Sequence, residues 1–267
     1  MRVNLIPMAG AGKRYQDAGY TIPKPLIDVQ GVPMAVRAAK ALPDADLNIF
    51  IYRSEHEKQY GVEDRIRPYF DNIRFIAVDG TTEGQACTCM LAEKLIPEDA
   101  LLTIGASDND MIYDEADFRR FEENENIDGW IWTFRHNPAV LQNPKMYGWV
   151  EVVSQDSTLA SAVRCKQPLS DHPMDDHAVI GAFSFRRAEI FFEAFRRMTV
   201  ADCRINNEFY VDVAADFAIR AGYRMHAFEV REYICWGTPA DYENYNRQVA
   251  LGQIQPREIK TLSQEKI

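Results

Sequence analysis

The stretch from Val3 to Met34, VNLIPMAGAGKRYQDAGYTIPKPLIDVQGVPM, constrains the fold more than any other part of the chain. An apolar run, Val3 to Ile6, ends at Pro7 and passes through a turn of small residues, Ala9-Gly10-Ala11-Gly12, into Lys13 and Arg14. Glycines let the backbone take positive φ, so that its N–H groups can approach an anion while the two cations neutralise charge. A strand feeding such a turn is suited to wrapping a phosphate chain. A further cation, Lys24, stands between Pro23 and Pro25 ahead of the strand-like Leu26-Ile27-Asp28-Val29. Prolines on both sides stiffen the backbone and aim the amine in a defined direction, whereas an unconstrained lysine is a solvated surface group.

Two better-known phosphate motifs do not fit. A Walker loop places a Gly six residues before its Lys and a Ser or Thr after it, but Pro7 and Arg14 occupy those positions. A dinucleotide fingerprint, Gly-x-Gly-x-x-Gly, meets Tyr15 where its third glycine belongs.

The segment resembles the signature of the sugar-1-phosphate nucleotidylyltransferases. That signature is a Gly-x-Gly-x-Arg loop, then Pro-Lys-Pro-Leu, then Gly-x-Pro-Met at the start of a helix. It reads here as Gly10-Ala11-Gly12-Lys13-Arg14, Pro23-Lys24-Pro25-Leu26 and Gly31-Val32-Pro33-Met34. The resemblance continues through Thr82-Glu83-Gly84-Gln85-Ala86, Ser107-Asp108-Asn109, Lys166 with Pro168, Asn207-Glu208-Phe209-Tyr210 and Gly237-Thr238-Pro239. It implies the nucleotide-diphospho-sugar transferase fold over residues 1–245, with a nucleotide-binding half (1–145), an acceptor-binding half (146–245), and a helix end and tail over 246–267.

Periodicity points to the same class. Strand-like runs at Val3–Ile6, Leu47–Tyr52, Ile73–Val78, Leu101–Ile104 and Gly129–Phe134 alternate with helix-like segments near 34–42, 54–60, 83–95 and 115–123. Such alternation predicts an α/β, Rossmann-like, mostly parallel sheet with helices on both faces, whose ligands gather at the carboxyl ends of the strands. After about residue 145 short strands at 148–153, 159–163 and 179–185 precede helices near 188–198 and 208–221, then a strand at 224–230 and a helix from about 240. No Gly/Ser/Pro-rich linker separates the halves, and the polar last dozen residues are expected to fray.

Composition limits the partners. With 267 residues, 46% hydrophobic and 26% charged, the chain can bury a large α/β core. A formal net charge of −10 disfavours nucleic-acid or anionic-membrane binding across the whole surface, so local cations must do any anion binding. No apolar stretch reaches the ~20 residues needed to span a bilayer, and no leader-like segment opens the chain, so a cytoplasmic enzyme is expected. A homo-oligomer is compatible with the sequence. Five cysteines without a framework pattern fit reduced thiols; Cys87-x-Cys89 lacks the partners a zinc site needs. His172 and His177, near Asp171, Asp175 and Asp176, are either metal ligands or part of a solvated acidic loop, the blander assignment.

The resemblance implies transfer of an NMP group from an NTP to a sugar 1-phosphate or similar phosphomonoester, with Mg2+ and release of pyrophosphate. The product would be an activated sugar for surface polysaccharide. A phosphate nucleophile needs no side-chain base, because its second pKa is near 6. Positioning and charge screening then suffice, which suits a site of glycines, cations and carboxylates. By resemblance the nucleotide lies on Met8, Ala9, Gly10, Ala11, Gly12, Lys13 and Arg14, with Glu83, Gly84 and Gln85 reading the base. Gly84 would let a flat base lie against the backbone. Arg14, Lys24 and Asp108 are the catalytic candidates. Asp108 is the implied Mg2+ ligand, with Asp110 and Asp212 as further candidates, since the Ile234-Cys235-Trp236-Gly237-Thr238 turn has no carboxylate. Asp110 is alternatively a turn-forming residue and Asp212 a helix-surface aspartate.

Lys166, Gly181 and Glu208 are the implied acceptor residues. Cys165 stands where the family commonly has Glu, which removes one hydrogen-bond acceptor. Tyr147 and Trp149 either line the pocket or belong to the core. Two other functions compete. A glycosyltransferase of similar sheet topology would use Asp108 and Asp110 as an Asp-x-Asp pair, although it has no pyrophosphate to expel. A non-catalytic nucleotide-binding regulator fits the missing carboxylate near Cys235.

Overall fold

In the computed structural model, which describes residues 1–265, the apolar run after Arg2 becomes an interior strand of a mixed α/β sheet. The chain opens with β1 (Arg2–Pro7), α1 (Lys13–Asp17), β2 (Asp28–Val29), β3 (Val32–Pro33), α2 (Met34–Lys40) and β4 (Leu47–Arg53). Next come α3 (Ser54–Tyr60), α4 (Val62–Ile66), β5 (Ile73–Val78), α5 (Gln85–Met90), β6 (Leu101–Ile104) and β7 (Asn109–Ile112). They are followed by α6 (Glu115–Glu123), β8 (Gly129–Phe134), α7 (Ala139–Gln142), β9 (Gly148–Val152), β10 (Ala160–Cys165) and β11 (His177–Phe185). The chain continues through α8 (Ala188–Val200), α9 (Val211–Arg220), β12 (Met225–Glu229), β13 (Glu232–Cys235), α10 (Pro239–Ala250) and α11 (Leu262–Glu265).

Strands β5, β4, β1 and β6 are mutually parallel, as β-α-β alternation requires. The side chains of β1 show why. Val3 and Leu5 pack with Ala86, Phe191 and Ala214 on one side of the sheet, while Ile6 and Met8 pack with Val36 and Ala39 of α2 on the other. A strand buried on both faces reads as a continuous apolar run instead of an alternating one.

Beyond β6 the pairing changes. β11 runs antiparallel to β8 along one edge, from Ala178 opposite Phe134 to Phe185 opposite Gly129. Its other edge is shared: His177 and Ala178 pair with β9, whereas Phe183 to Phe185 pair with β6. Between these contacts the register shifts, and Gly181 takes φ +84°. The sheet therefore forks at Gly181. The freed backbone groups find other partners: the Ile180 carbonyl accepts from Asn109 Nδ2 at 2.5 Å, and the Gly181 carbonyl from the Ala106 N–H at 3.0 Å.

Several local expectations change. Lys24–Leu26 is one 3-10 turn, closed by Leu26 N–H to Pro23 O at 2.8 Å, so the strand begins only at Asp28. The segment expected as helix from Glu208 starts at Val211. Ile205–Glu208 is instead a tight turn in which Asn206 and Asn207 both have positive φ, and the flanking residues exchange backbone bonds of 3.0 Å. The carboxyl-terminal segment, expected to fray, makes specific contacts where it is described, and residues 266 and 267 lie outside the described residues. Arg37 is buried, with 2% exposure, and its guanidinium donates to Val29 O at 3.0 Å, Gln30 O at 3.4 Å and Arg257 O at 3.0 Å. A buried guanidinium needs such acceptors, and the tail supplies one of them. Arg257 in turn donates to Lys40 O at 2.5 Å and Met111 O at 3.2 Å.

Arg37→Met removes three charge-assisted bonds to carbonyls, so it should lower unfolding stability by about 3 kcal/mol. It should also speed limited proteolysis beyond residue 250. Urea melts and digestion time courses check this; unchanged cleavage would show that the tail is anchored by other contacts.

Candidate active site

The fork in the sheet opens a cleft of about 250 Å³, and segments distant in sequence converge on it. One wall comes from the Gly loop and the Pro-Lys-Pro turn (Arg14, Lys24), another from the β6–β7 bend (Ala106, Asp108, Asn109) and Gly237. The far wall is built from Tyr147, Gly148, Cys165, Lys166, Gly181, Tyr210 and Asp212.

The loop after β1 has the geometry its glycines predict. Gly12 takes φ 62°, ψ 24° and caps the start of α1. The Met8 N–H is spent on Ile51 O at 2.8 Å, but from Ala9 to Arg14 the backbone N–H groups have no backbone acceptor among the described residues. The loop thus presents a row of free donors. Lys13 and Arg14 are exposed, and Arg14 reaches the cleft. Tyr15 anchors the loop from beneath: its hydroxyl donates to Trp236 O at 2.7 Å, with Thr238 O at 3.0 Å.

Lys24 leaves its 3-10 turn directed across the cleft. Its ammonium forms an ion pair with Asp108 Oδ2, donates to Gly237 O at 3.0 Å, and lies 5.4 Å from the centre of the Tyr15 ring. Asp108 remains partly open to the cleft, with 30% of its side chain exposed. The β7–β13 ladder brings the Gly237 turn alongside, since Cys235 pairs with Asn109 and the Trp236 N–H donates to Asp108 O at 2.8 Å.

A carboxylate that the sequence reading passed over lies here. Asp241 folds back onto the turn through a capping box, accepting from Thr238 N–H at 3.0 Å and Thr238 Oγ1 at 2.6 Å. A methyl group on Gly237 would sit 3.9 Å from Asp108 Oδ2 and 4.0 Å from Asp241 Oδ2, so both carboxylates flank one peptide. Its signal was the Thr-x-x-Asp spacing after the glycine. Cys235 lies against the same pair, and burial, then Asp108, pushes its thiol up to about 11.

The three metal candidates are not brought together. Asp110 is buried, accepts from the Met111 N–H at 2.8 Å and faces Arg257 at 3.9 Å, outside the cleft. Burial raises its carboxyl, and Arg257 works against that rise. Asp212 lines the far wall beside Lys166. No cluster of three or more His, Cys, Asp or Glu able to hold a metal occurs among the described residues.

On the acceptor side, Lys166 takes φ 57°, rare for a residue with a Cβ, and this turns it back from the end of β10 into the cleft. Its ammonium meets Tyr210 Oη at 2.7 Å. Tyr147 lines the cleft, whereas Trp149 is core, its Nε1 donating to Pro144 O at 3.0 Å. Glu208 is exposed next to Tyr210 and outside the cleft lining.

The Thr82–Gln85 segment divides. Gln85 faces the cleft, but Glu83 turns away to pair with Arg204 at 2.8 Å. Gly84 is required for a reason other than a stacked base. It adopts φ 130°, ψ 172°, and a Cβ there would lie 2.5 Å from both N and O of Phe209. The Phe209 peptide fills that space, donating to Glu83 O at 2.8 Å and accepting from Ala86 N–H at 3.0 Å.

No protein-family model and no curated protein matches the chain. Solved structures do. A nucleoside-diphosphate-sugar pyrophosphorylase from Vibrio cholerae RC9 superposes with a TM-score of 0.74 at 21% identity, covering 92% of this chain and 100% of that one. A UTP-bound UGPase from Acinetobacter baumannii gives 0.72 at 14% identity, over 96% of this chain and 95% of its own. The inositol-1-phosphate CTP transferase from T. maritima gives 0.70 at 13% identity, over 92% and 96%. At such identities the likeness establishes the fold.

Asp212 carries a stability consequence. Burial pushes its carboxyl up to about 6 from 3.8, against the pull of its own N–H and of Lys166. A raised carboxyl destabilises the fold when ionised, an effect absent below pH 3.8, growing through the interval and complete above pH 6. Asp212→Asn should therefore stabilise the protein by up to about 3 kcal/mol at pH 7.5 and by little near pH 4. Urea denaturation at the two pH values reads the difference; equal effects at both would dismiss the buried-charge account.

Proposed function

We propose that the chain is a nucleotidylyltransferase that moves the nucleotidyl group of an NTP onto a phosphomonoester, a sugar 1-phosphate in the simplest case, and releases pyrophosphate. The observation that carries this reading is the meeting, in one cleft at the sheet fork, of two separate anion-binding devices. One is the donor-lined loop with Arg14 and Lys24; the other is Lys166 with Tyr210. A reaction joining two phosphate compounds needs two such devices. The superposable proteins, a nucleoside-diphosphate-sugar pyrophosphorylase, an inositol-1-phosphate CTP transferase and a UTP-bound UGPase, are named for the same type of chemistry.

The step needs no side-chain nucleophile. An oxygen of the acceptor phosphate, already ionised at neutral pH, attacks the α-phosphorus in line. The bond from that phosphorus to the bridging oxygen breaks, and its electron pair leaves with pyrophosphate. Charge accumulates on the departing oxygens, where the free N–H row and the Arg14 fork can receive it. Lys24 neutralises charge nearer the reacting phosphates while fixing Asp108. No histidine lines the cleft among the described residues, and burial holds both cleft thiols, Cys165 and Cys235, in the neutral form, so neither an imidazole nor a thiolate nucleophile is available there.

Magnesium fits the donors available, because it takes one or two carboxylates together with substrate oxygens. Asp108, with Asp241 across Gly237, would hold it, and when bound it would lower the charge of the phosphates. The two competing functions are less well supported. Asp110 faces Arg257 and is not paired with Asp108, which removes the Asp-x-Asp arrangement. Asp241 supplies the carboxylate whose absence near Cys235 had suggested a regulator. A role in surface polysaccharide supply and a cytoplasmic setting rest on the sequence reading; no helix among the described residues is long and apolar enough to cross a membrane.

Pyrophosphate release from the four NTPs, assayed against sugar 1-phosphates and other phosphomonoesters, should occur with at least one pair and stop with EDTA. Arg14→Ala, Lys24→Ala and Asp108→Asn should each lower turnover about a hundredfold or more, equivalent to about 3 kcal/mol of lost charge stabilisation. Near-normal turnover in Asp108→Asn would remove the magnesium assignment, and release of NDP from a nucleotide sugar would replace the reaction altogether.

A further inference from the structure

Two aspartates occupy the buried face of α9 one turn apart, and they are treated differently. Asp216 is satisfied within the protein: Oδ1 accepts from the Val163 N–H at 2.9 Å, and Oδ2 pairs with Arg220 at 2.5 Å. Asp212, only 9% exposed, has its own N–H and the nearby charge of Lys166, with no side-chain hydrogen-bond partner among the described residues. Lys166 directs its ammonium to Tyr210, not to Asp212. A carboxylate this deep in a cleft wall, without a protein side-chain donor, is unfavourable unless water or a ligand in the cleft donates to it.

The surroundings are shaped for that carboxylate. Gly148 approaches so closely that a Cβ on it would lie 1.8 Å from Asp212 Oδ1, so a larger residue would push the carboxylate from its place. Cys165 neighbours it and offers only a weakly polar thiol, kept neutral by burial and by Asp212 itself. Asp108 and Asp241, in contrast, flank Gly237, whereas Asp212 packs against Gly148.

We propose that Asp212 selects the acceptor: beside the phosphate held by Lys166, it accepts a hydrogen bond from a donor substituent of the acceptor skeleton, a hydroxyl or a protonated amine. The identity of that phosphate rests on the nucleotidylyl-transfer reading above. Simple alkyl phosphates lack such a donor and leave the buried carboxylate unsatisfied, so they are poor acceptors. Loss of a charge-assisted bond of this kind changes affinity by about tenfold to a hundredfold.

Calorimetry without nucleotide tests this on the full chain. Sugar 1-phosphates, inositol and glycerol phosphates and phosphoethanolamine form the panel, with ethyl phosphate as the donor-free control. The best panel compound should bind the wild type at least about tenfold more tightly than ethyl phosphate. In Asp212→Ala that preference should nearly vanish while the Kd for NTP stays unchanged. Asp212→Asn separates the two donor types, since its amide oxygen still accepts from a hydroxyl but does not balance an ammonium. Retained preference identifies the hydroxyl; loss equal to that of Asp212→Ala identifies the amine.

The inference is overturned if the preference survives in Asp212→Ala, if NTP binding weakens as much as acceptor binding, or if no panel compound outbinds ethyl phosphate on the wild type. A thermal melt confirms that both variants are folded. Selective binding lost in Asp212→Ala without pyrophosphate release in the wild type would sink the reaction and leave Asp212 as a recognition residue. Release with an unaltered preference would do the reverse.

Discussion

The change of partner along β11 is the constraint on which the molecule depends. One edge of that strand pairs with β8 on both sides of a register shift, while the other passes from β9 to β6 around Gly181. A sheet normally satisfies its backbone groups strand by strand; opening one edge exposes carbonyls that must find donors elsewhere. Asn109 and Ala106 supply them, and so the β6–β7 bend is drawn into the gap. Asp108 arrives in the cleft as part of that repair. The site lies at the carboxyl end of β1 and β6, where an open α/β sheet gathers its ligands, and the fork extends it toward the second half of the chain.

Three segments far apart in sequence then meet at one ammonium. Lys24 binds Asp108 and the Gly237 carbonyl, and Tyr15 beneath it binds the neighbouring carbonyls of Trp236 and Thr238. The glycine loop after β1 is in this way tied to the turn carrying Asp241. A second stitch joins the halves at Gly84, where the Phe209 peptide fills the space of a missing side chain. Since Phe209 precedes Tyr210 and α9, the Gln85 side and the Lys166 side of the cleft are positioned by the same backbone contact. These contacts come from rigid elements and buried peptides, which is how charged side chains are kept in place without a large apolar pocket.

Sequence reasoning located what depends on local pattern. Arg14 at the end of the Gly loop, Lys24 of the Pro-Lys-Pro turn, Asp108, Gly181 and Lys166 all reach the cleft, and β5, β6 and β8 begin and end where the apolar runs do. It failed where long-range contacts decide. In Ser-Asp-Asn-Asp the sequence offers Asp110 as a further metal candidate beside Asp108, yet it faces Arg257, 147 residues away, outside the cleft. Gly84 suggested an approaching base, and only the fold shows a peptide in that place. The polar tail looked free because nothing local reveals that buried Arg37 needs the Arg257 carbonyl. Two misses had local signals: Asn206-Asn207, both tolerant of positive φ, read as a turn ahead of α9, and Thr238 to Asp241 read as a capping box.

Charge placement shows what the fold gives up for its chemistry. In a chain of net charge −10, Arg14, Lys24 and Lys166 concentrate positive charge in one cleft. Adding a buried carboxylate to that cleft works against both stability and anion binding. Asp108 is balanced by Lys24, and Asp241 by the helix start it caps, where the dipole of α10 favours negative charge. Asp212 has weaker balance: it lies at the start of α9 with Lys166 near, but burial still raises its carboxyl to about 6. An asparagine would fill the same volume next to Gly148 without that penalty. Under the acceptor-selection proposal that penalty is offset when a donor group arrives with the phosphate, which would let the cleft distinguish among phosphate monoesters.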